Sequence, residues 1–530
     1  MPGLSSADHG VSPPVIHIPR DYNAAHDLVE RNLLAGRAGK LAYIDDAGRY
    51  TYGDLAQRVN RAANALTGLG LEMESRILLC HLDTIDFPSV FLGAIKAGIV
   101  PIAVNTLLTP ADYKFMLEDS RARALVVSES LLPALAPVLA GMPFLKHVIV
   151  SGRDAHGHLH LQALAGKASS EFAPAPTTRD DICFWAYSSG STGLPKGTVH
   201  VHSSLIHTAE LYARPILGIE ENDVVFSAAK LFFAYGLGNA LTFPLAVGAT
   251  TILMAERPTP ASVFKRLKER RPTIFYGVPT LFGSMLASPE LPRREELALR
   301  ICTSAGEALP AELGRRWTDH FGIEILDGIG STEMLHIFLS NRPGAVRYGT
   351  TGQPVPGYHI RLINEDGNVA ATGELGELQI SGPTSAIHYW NNRARSLDTF
   401  VGAWTRAGDK YSVDADGYYT YGGRSDDMLK VSGMYVSPFE VEAALLTHPD
   451  VLEAAVIGLE DEQALTKPKA FVVLKPGAQA DADLDARLKQ HVKEQLAPYK
   501  YPRWIEFVTE LPKTATGKIQ RYKLRDLSRG

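Results

Sequence analysis

The chain is poor in cysteine: three in 530 residues, Cys80, Cys183 and Cys302, far apart and odd in number. Neither a disulfide framework nor a clustered zinc site is expected from such usage, and a reducing cytoplasm fits it. Long apolar runs are also scarce. The longest, Phe87 to Val104, is broken by Lys96 and contains Pro88 and Pro101, so it reads as a buried helix and strand and not as a membrane span. The opening MPGLSSADHG has no basic region leading into an apolar one, which argues against a secretory signal. Dense basic blocks are missing too. With 53 Lys and Arg against 58 Asp and Glu, a formal charge of −5, neither nucleic acid nor a membrane surface is expected as a partner.

What remains is ordinary globular material, 45% hydrophobic and 21% charged, long enough that at least two domains are expected. In TYGDLAQRVNRAANALTGLG, Leu55, Val59, Ala62, Ala63 and Leu66 recur at helical spacing before a glycine stop, and RILLCHL follows as a strand. The same alternation returns in SVFLGAIKAGIVPIAV, ALVVS, ATTILM and TIFYGVP. Strands separated by helices predict an α/β fold with mostly parallel sheets flanked by helices. Residues 151–178, rich in Gly, Ala and His, read as a surface connection, and their HGHLH as part of a solvated linker.

Near Arg424 the pattern changes. After GGRSDDMLKVSGMYVSP come a helix, strands at EAAVIGL and AFVVLK, a helix from about Ala482 to Leu496, and RWIEFV. Ser437, Pro438 and Glu440 open the first helix as N-cap, first-turn proline and capping-box acid. Leu484, Leu488, Val492 and Leu496 line one face of the second. Two domains are expected, 1–425 and a small α+β unit at 426–530.

The stretch that calls for chemistry is YSSGSTGLPKG, residues 187–197. Closely spaced glycines let backbone N–H groups approach an anion, hydroxyls add donors, and Lys196 adds charge. It follows the apolar ICFWAY, a predicted strand, as phosphate loops do. The Walker pattern fails, because Lys196 stands between Pro195 and Gly197 instead of after Gly and before Ser or Thr.

This loop resembles that of the adenylate-forming enzymes, the superfamily of acyl- and aryl-CoA ligases, carrier-protein adenylation domains and luciferases. Further motifs carry the resemblance over nearly the whole chain: SAGEAL at 304–309, DGIGSTE at 327–333, GELGELQISGP at 373–383, WTRAGDKY at 404–411, GRSDDMLKVSG at 423–433 and PKTATGK at 512–518. The resemblance implies ATP, Mg²⁺ and coenzyme A as co-substrates and cofactors. A carboxylate would be activated as its adenylate and passed to a thiol, chemistry that needs charge stabilisation around a phosphoryl group more than a protein nucleophile.

By resemblance, Ser189, Ser191, Thr192 and Lys196 hold the β- and γ-phosphates, and Ser188, Gly190 and Gly193 belong to the same ATP-binding loop. Thr332 binds the α-phosphate and Glu333 ligates Mg²⁺. Glu307 and Ile329 stand at the adenine, Gly306, Asp327 and Gly328 also belong to the ATP site, Asp409 takes the ribose hydroxyls, and Arg424 assists. Lys518 reaches the carboxylate and α-phosphate, Asp426 is the hinge of a mobile C-terminal domain, and Ser432 and Gly433 border the CoA tunnel. Two positions depart from the family pattern: Ile329 stands where an aromatic residue often stacks on adenine, and Ala407 replaces the usual Thr.

The segment LFFAYGLGN at 231–239, with GSTEMLHIFLSN, is most similar to benzoate-CoA ligases. The aryl ring is expected among Ala234, Tyr235, Gly330, His336 and Ile337, and benzoate is the expected acid. CoA is favoured as the thiol over a carrier protein, since no carrier domain follows Lys518 before the sequence stops. Exposure of Lys518 in one domain orientation would open it to a lysine acetyltransferase and deacetylase, neutralising the charge needed for adenylation. A homodimer is compatible with the sequence.

Overall fold

Helices alternate with strands through most of the first 330 residues and feed two large sheets. The computed structural model describes residues 2–188, 195–425, 427–431, 434–461, 465–481, 483–496, 500–513 and 519–528. In the first sheet the strands run His388–Tyr389, Lys196–Val201, Ile182–Ser188, Val100–Ala103, Arg76–Cys80, Ala124–Ser128, His147–Ser151 and Leu159–His160. From Ile182–Ser188 onward each neighbour is parallel, whereas the first two strands pair antiparallel.

The second sheet has a parallel centre in the order Ile325–Gly330, Ile301–Ser304, Ile274–Gly277, Val224–Ser227, Thr250–Ile252 and Leu41–Ile44, with antiparallel strands at both margins. Ala124–Ser128 and Ile274–Gly277 are buried along their whole length. That is the continuous apolar run expected where helices cover both faces.

Helix Tyr52–Gly68 begins where Thr51 and Asp54 bond reciprocally, and it buries Leu55, Val59, Ala62, Ala63 and Leu66. Helix Asp86–Lys96 crosses it closely. A Cβ on Gly93 would stand 2.7 Å from the Ala62 Cβ and 2.9 Å from the Val59 carbonyl. The apolar run Phe87–Val104 is thus this helix and the strand Val100–Ala103. No helix among the described residues is long and apolar enough to cross a membrane.

Residues 151–178 are more than a connection. Strand Leu159–His160 extends the first sheet and helix Leu161–Lys167 follows it. His160 Nε2 bonds the Gly152 carbonyl at 2.8 Å, which ties the histidine-rich stretch back to the chain just before it.

A third sheet is antiparallel throughout: His359–Ile363, Gly376–Ser381, Trp404–Val413, Phe400–Val401 and Tyr419–Arg424. It shares the large apolar core, to which it gives Leu362, Leu378, Ile380 and Tyr411.

Beyond it, Leu429, Val441, Leu445, Val456, Val472, Leu484, Leu488 and Val492 form a separate core. This small C-terminal domain pairs Val451–Glu460 with Thr466–Leu474 antiparallel, and the latter with Trp504–Phe507 parallel. Helix Pro438–Leu446 starts at Ser437, whose side chain accepts from the Glu440 N–H. The Glu440 carboxylate does not close the expected capping box. Lys500 Nζ takes it instead, at 2.6 Å to each oxygen, a stronger charge-assisted partner than a backbone amide.

Candidate active site

Strand Ile182–Ser188 runs toward its end with Ser188, and the chain returns antiparallel as Lys196–Val201, with Ser188 opposite Lys196. The strands on either side of the glycine-rich stretch are thus antiparallel neighbours, whereas a P-loop leads from strand into helix. Ser189, Gly190, Ser191, Thr192 and Gly193 lie outside the described residues, as do Asp426, Ser432, Gly433 and Lys518.

A second turn faces the first. Strand Ile325–Gly330 ends at the cleft and returns as Ile337–Ser340, with a register shift between Ile329 and Gly330. Thr332 and Glu333 sit in the turn between them. Leu335 takes a positive φ of 64°, a conformation seldom adopted by a branched side chain. Gly330 is required by close approach, since a Cβ there would lie 2.6 Å from the His336 carbonyl oxygen.

Ser188, Lys196, Gly306, Glu307, Asp327, Gly328, Ile329, Gly330, Thr332, Glu333, Asp409 and Arg424 all line one cleft of about 1780 Å³. Both domains wall it: Arg521 and Lys513 belong to the same lining. Every described residue expected to contact the nucleotide is thus brought together, from strands of all three sheets.

The charged centre is a triangle. Tyr389 donates to Glu333 Oε1 at 2.7 Å, Lys196 Nζ donates to the Tyr389 hydroxyl at 3.2 Å, and the lysine lies 3.6 Å from the same carboxylate oxygen. Lys196 also stands over the Tyr389 ring, 4.4 Å from its centroid. Burial favours a neutral Glu333, but the Lys196 charge and the Tyr389 hydroxyl outweigh it and hold the carboxyl below its ordinary range. An ionised carboxylate on a cleft wall, with the Ser188 hydroxyl 3.5 Å away, fits a hard cation such as Mg²⁺.

Behind this turn His200 is fully buried and stacks on Phe184 with ring centroids 5.3 Å apart. Burial lowers its pKa to about 4, so it is neutral, and its Nε2–H donates to the Thr332 carbonyl at 2.7 Å. At the other side of the cleft Asp409 and Arg424 face each other across paired strands, with Nη1 and Oδ1 3.4 Å apart. Glu307 Oε1 accepts from the Ile519 N–H of the small domain at 3.3 Å. Asp327 behaves differently from Glu333. Burial pushes its carboxyl well above the ordinary range, against the opposing effect of the Leu309 and Gly328 backbone N–H groups.

Of the five residues expected around an aryl ring, Gly330 alone is on the cleft wall; Ala234, Tyr235, His336 and Ile337 are packed behind it. His336 Nε2 bonds the Tyr235 carbonyl at 3.2 Å, and its ring lies edge-on to Phe243 at 4.5 Å. Burial lowers the His336 pKa to about 3, so it carries no charge for a carboxylate. The Ile337 side chain fits where a Cβ on Gly328 would be, 3.1 Å away.

Sequence reasoning missed Tyr389 and His200. Tyr389 follows a recognised motif, in SAIHYWNN, but a single tyrosine in an edge strand carries no spacing signal.

Residues 30–390 match the model of the AMP-binding enzyme family, and residues 440–518 that of the AMP-binding enzyme C-terminal domain. The chain belongs to the AMP-binding enzymes. Among curated relatives, a benzoate-CoA ligase of Thauera aromatica is 67% identical over 524 residues, 98% of this chain and 99% of the relative. A 4-hydroxybenzoate-CoA/benzoate-CoA ligase of Rhodopseudomonas palustris is 52% identical, covering 96% of this chain and 95% of the relative. The solved benzoate CoA ligase of Burkholderia xenovorans LB400 superposes with a TM-score of 0.90 at 58% identity, over 95% of this chain and all of that one. In this AMP-binding enzyme the described residues expected at the nucleotide all line the one cleft walled by both domains.

Proposed function

We propose that this AMP-binding enzyme is a benzoate-CoA ligase. It joins the carboxylate of benzoate to the α-phosphate of ATP, releasing pyrophosphate, and then transfers the aroyl group to the thiol of CoA, releasing AMP. The observation that carries the reading is the Glu333–Lys196–Tyr389 cluster sharing one cleft with Asp409 and Arg424, with the rings of Tyr235, His336 and Phe243 packed next to the Gly330 turn.

Each residue has a task there. Lys196 and the hydroxyls of its loop offset charge on the phosphates that leave, while Glu333 would hold Mg²⁺, which would supply Lewis-acid charge neutralisation there. Thr332, its backbone fixed by His200, orients the α-phosphate. Asp409 accepts from the ribose hydroxyls, and the Ile329 side chain together with Gly306 and Glu307 flanks the purine. Tyr235, Ala234, Ile337 and the neutral His336 enclose the ring and exclude water.

Lys518 completes the positive surround for the first half-reaction. Rotation about Asp426, at a boundary of 425/426, withdraws it and brings Ser432 and Gly433 to the thiol. Acetylation of Lys518 would stop adenylation and spare thioester formation from preformed adenylate. Three free, buried cysteines support a cytoplasmic location.

The deciding experiment measures AMP formation from Mg-ATP and CoA with benzoate, salicylate and hexanoate, beside Lys518→Ala. Turnover favouring benzoate and abolished in the variant supports the reading. Benzoate-dependent pyrophosphate release without CoA consumption would refute it in favour of an enzyme that loads a carrier protein.

A further inference from the structure

Beside the Glu333–Lys196–Tyr389 triangle stands an arginine that the reaction as described does not use. Arg395 lines the same cleft as Ser188, Lys196, Glu333 and Tyr389. It sits on helix Arg393–Thr399, which the Asn392 side chain opens by accepting the Arg395 N–H at 3.2 Å. Two contacts lock this short helix to Tyr389. The Tyr389 N–H donates to the Ser396 hydroxyl at 2.9 Å, and the Phe400 ring, just past the helix, lies 5.2 Å from the Tyr389 ring. Arg395 therefore starts from a fixed backbone on the wall that carries the charged centre.

Its side chain is held lightly. Arg395 Nη1 donates to Asp398 Oδ2 at 3.0 Å, an i,i+3 pair whose side chains are 45% and 53% exposed. Exposed pairs of this kind add little to stability. The other Asp398 oxygen accepts from Arg406 Nη1 at 3.3 Å, and Arg406 in turn lies 3.7 Å from Glu377. Asp398 thus keeps a cationic partner if Arg395 leaves it.

The cleft has a use for such a cation. Within the triangle the Lys196 and Glu333 charges offset each other at 3.6 Å, and Arg424 is engaged with Asp409, whereas the terminal phosphates of Mg-ATP bring net negative charge. Burial lowers the Lys196 pKa, Glu333 raises it and the Arg395 charge lowers it again, so the guanidinium is within electrostatic reach of that lysine. We propose that Arg395 is a further phosphate-binding residue, which exchanges Asp398 for the β- and γ-phosphate oxygens of ATP and stabilises pyrophosphate as it leaves. As the carboxylate oxygen bonds the α-phosphorus and the α–β bridge breaks, the electron pair passes to the bridging oxygen. Charge then grows at the end that a planar guanidinium grips with two N–H donors. The inference rests on the adenylating reading above and assigns a residue to its leaving group.

The test uses Arg395→Gln, which keeps length and loses charge, with Arg395→Lys and Asp398→Asn beside it. The measurements are kcat/KM for ATP in benzoate-dependent pyrophosphate release, kcat/KM for pyrophosphate in the reverse reaction from benzoyl-adenylate, and the rate of thioester formation from benzoyl-adenylate and CoA. In Arg395→Gln the values for ATP and for pyrophosphate should each fall about tenfold or more, with a far smaller change in thioester formation. Arg395→Lys should recover part of the loss. Asp398→Asn frees the arginine, so its value for ATP should not fall. Equal losses in both half-reactions, or an Asp398→Asn loss matching that of Arg395→Gln, would mean that the ion pair only shapes the wall and would overturn the proposal, as would unchanged values for ATP and pyrophosphate. A wild type that releases no pyrophosphate with benzoate would overturn the underlying reading, and the inference with it.

Discussion

Tyr389 holds Glu333 by a 2.7 Å hydrogen bond from an edge strand of a different sheet, and the same hydroxyl receives Lys196 at 3.2 Å. One phenol thus holds the Glu333 and Lys196 charges together before any nucleotide arrives. Tyr389→Phe removes a hydrogen bond to a charged group, worth about 1.5–3 kcal/mol. The expected outcome is a KM for Mg-ATP raised about tenfold with a smaller change in kcat, read from steady-state AMP formation. A loss confined to kcat would count against a positioning role.

Glu333→Gln keeps the shape and removes the charge. Pyrophosphate exchange with benzoate and ATP should fall by about 10² or more, the scale of losing a charge at a phosphoryl site. Raising Mg²⁺ should not restore it. Recovery at high Mg²⁺ would mean that the carboxylate binds the ion but is not needed for turnover.

Two buried histidines make stability pH-dependent. His200 and His336 are lowered by burial to about 4 and about 3, against 6.5 for an ordinary imidazole. The unfolded chain binds their protons more readily, so their contribution is fully present above pH 6.5 and is lost as pH falls toward the folded values. By pH 5 each accounts for a loss of about 2 kcal/mol. Urea unfolding at pH 7 and pH 5 should show a smaller difference for His200→Gln than for the wild type.

Gly330→Ala would drive a Cβ to 2.6 Å from the His336 carbonyl oxygen, a backbone atom with little room to yield. Overpacking of this kind costs about 1–3 kcal/mol. The displaced turn carries Thr332 and Glu333, so the KM for benzoate and kcat should both suffer, measured against the melting temperature of the same variant.

In the small domain Arg521 Nη2 spans both oxygens of the buried Glu442, at 2.6 and 2.7 Å, and Glu442 also accepts from the Val456 N–H. Arg521→Ala strands that carboxylate, at about 3–5 kcal/mol. Arg521 lies three residues after Lys518 in the sequence. Adenylation should therefore drop together with stability, whereas the double change Arg521→Ala with Glu442→Gln should recover stability in chemical unfolding.

The sequence makes the parallel centres of the two large sheets legible, because ALVVS, TIFYG and ICFWAY are apolar runs bounded by turns. The third sheet was not, since GELGELQISGP and WTRAGDKY draw attention as motifs while their strand character rests on pairing between segments some 30 residues apart. The residues expected at the nucleotide were selected by motif order, and those described share one cleft. Tyr389 escaped because its importance comes from a bond to Glu333, 56 residues away, which no local pattern encodes. Glu440 was misassigned for the same reason: the local capping rule lost to Lys500, 60 residues distant.

The contact of the Ile519 amide with the Glu307 carboxylate joins points 212 residues apart. At 3.3 Å it contributes about 1.5 kcal/mol or less, a bias of roughly tenfold. Glu307 also stands at the proposed purine site, so nucleotide and C-terminal lobe bid for one acceptor. An adenine edge donating to that carboxylate would compete with the Ile519 amide, so nucleotide entry by itself would loosen the lobe's grip.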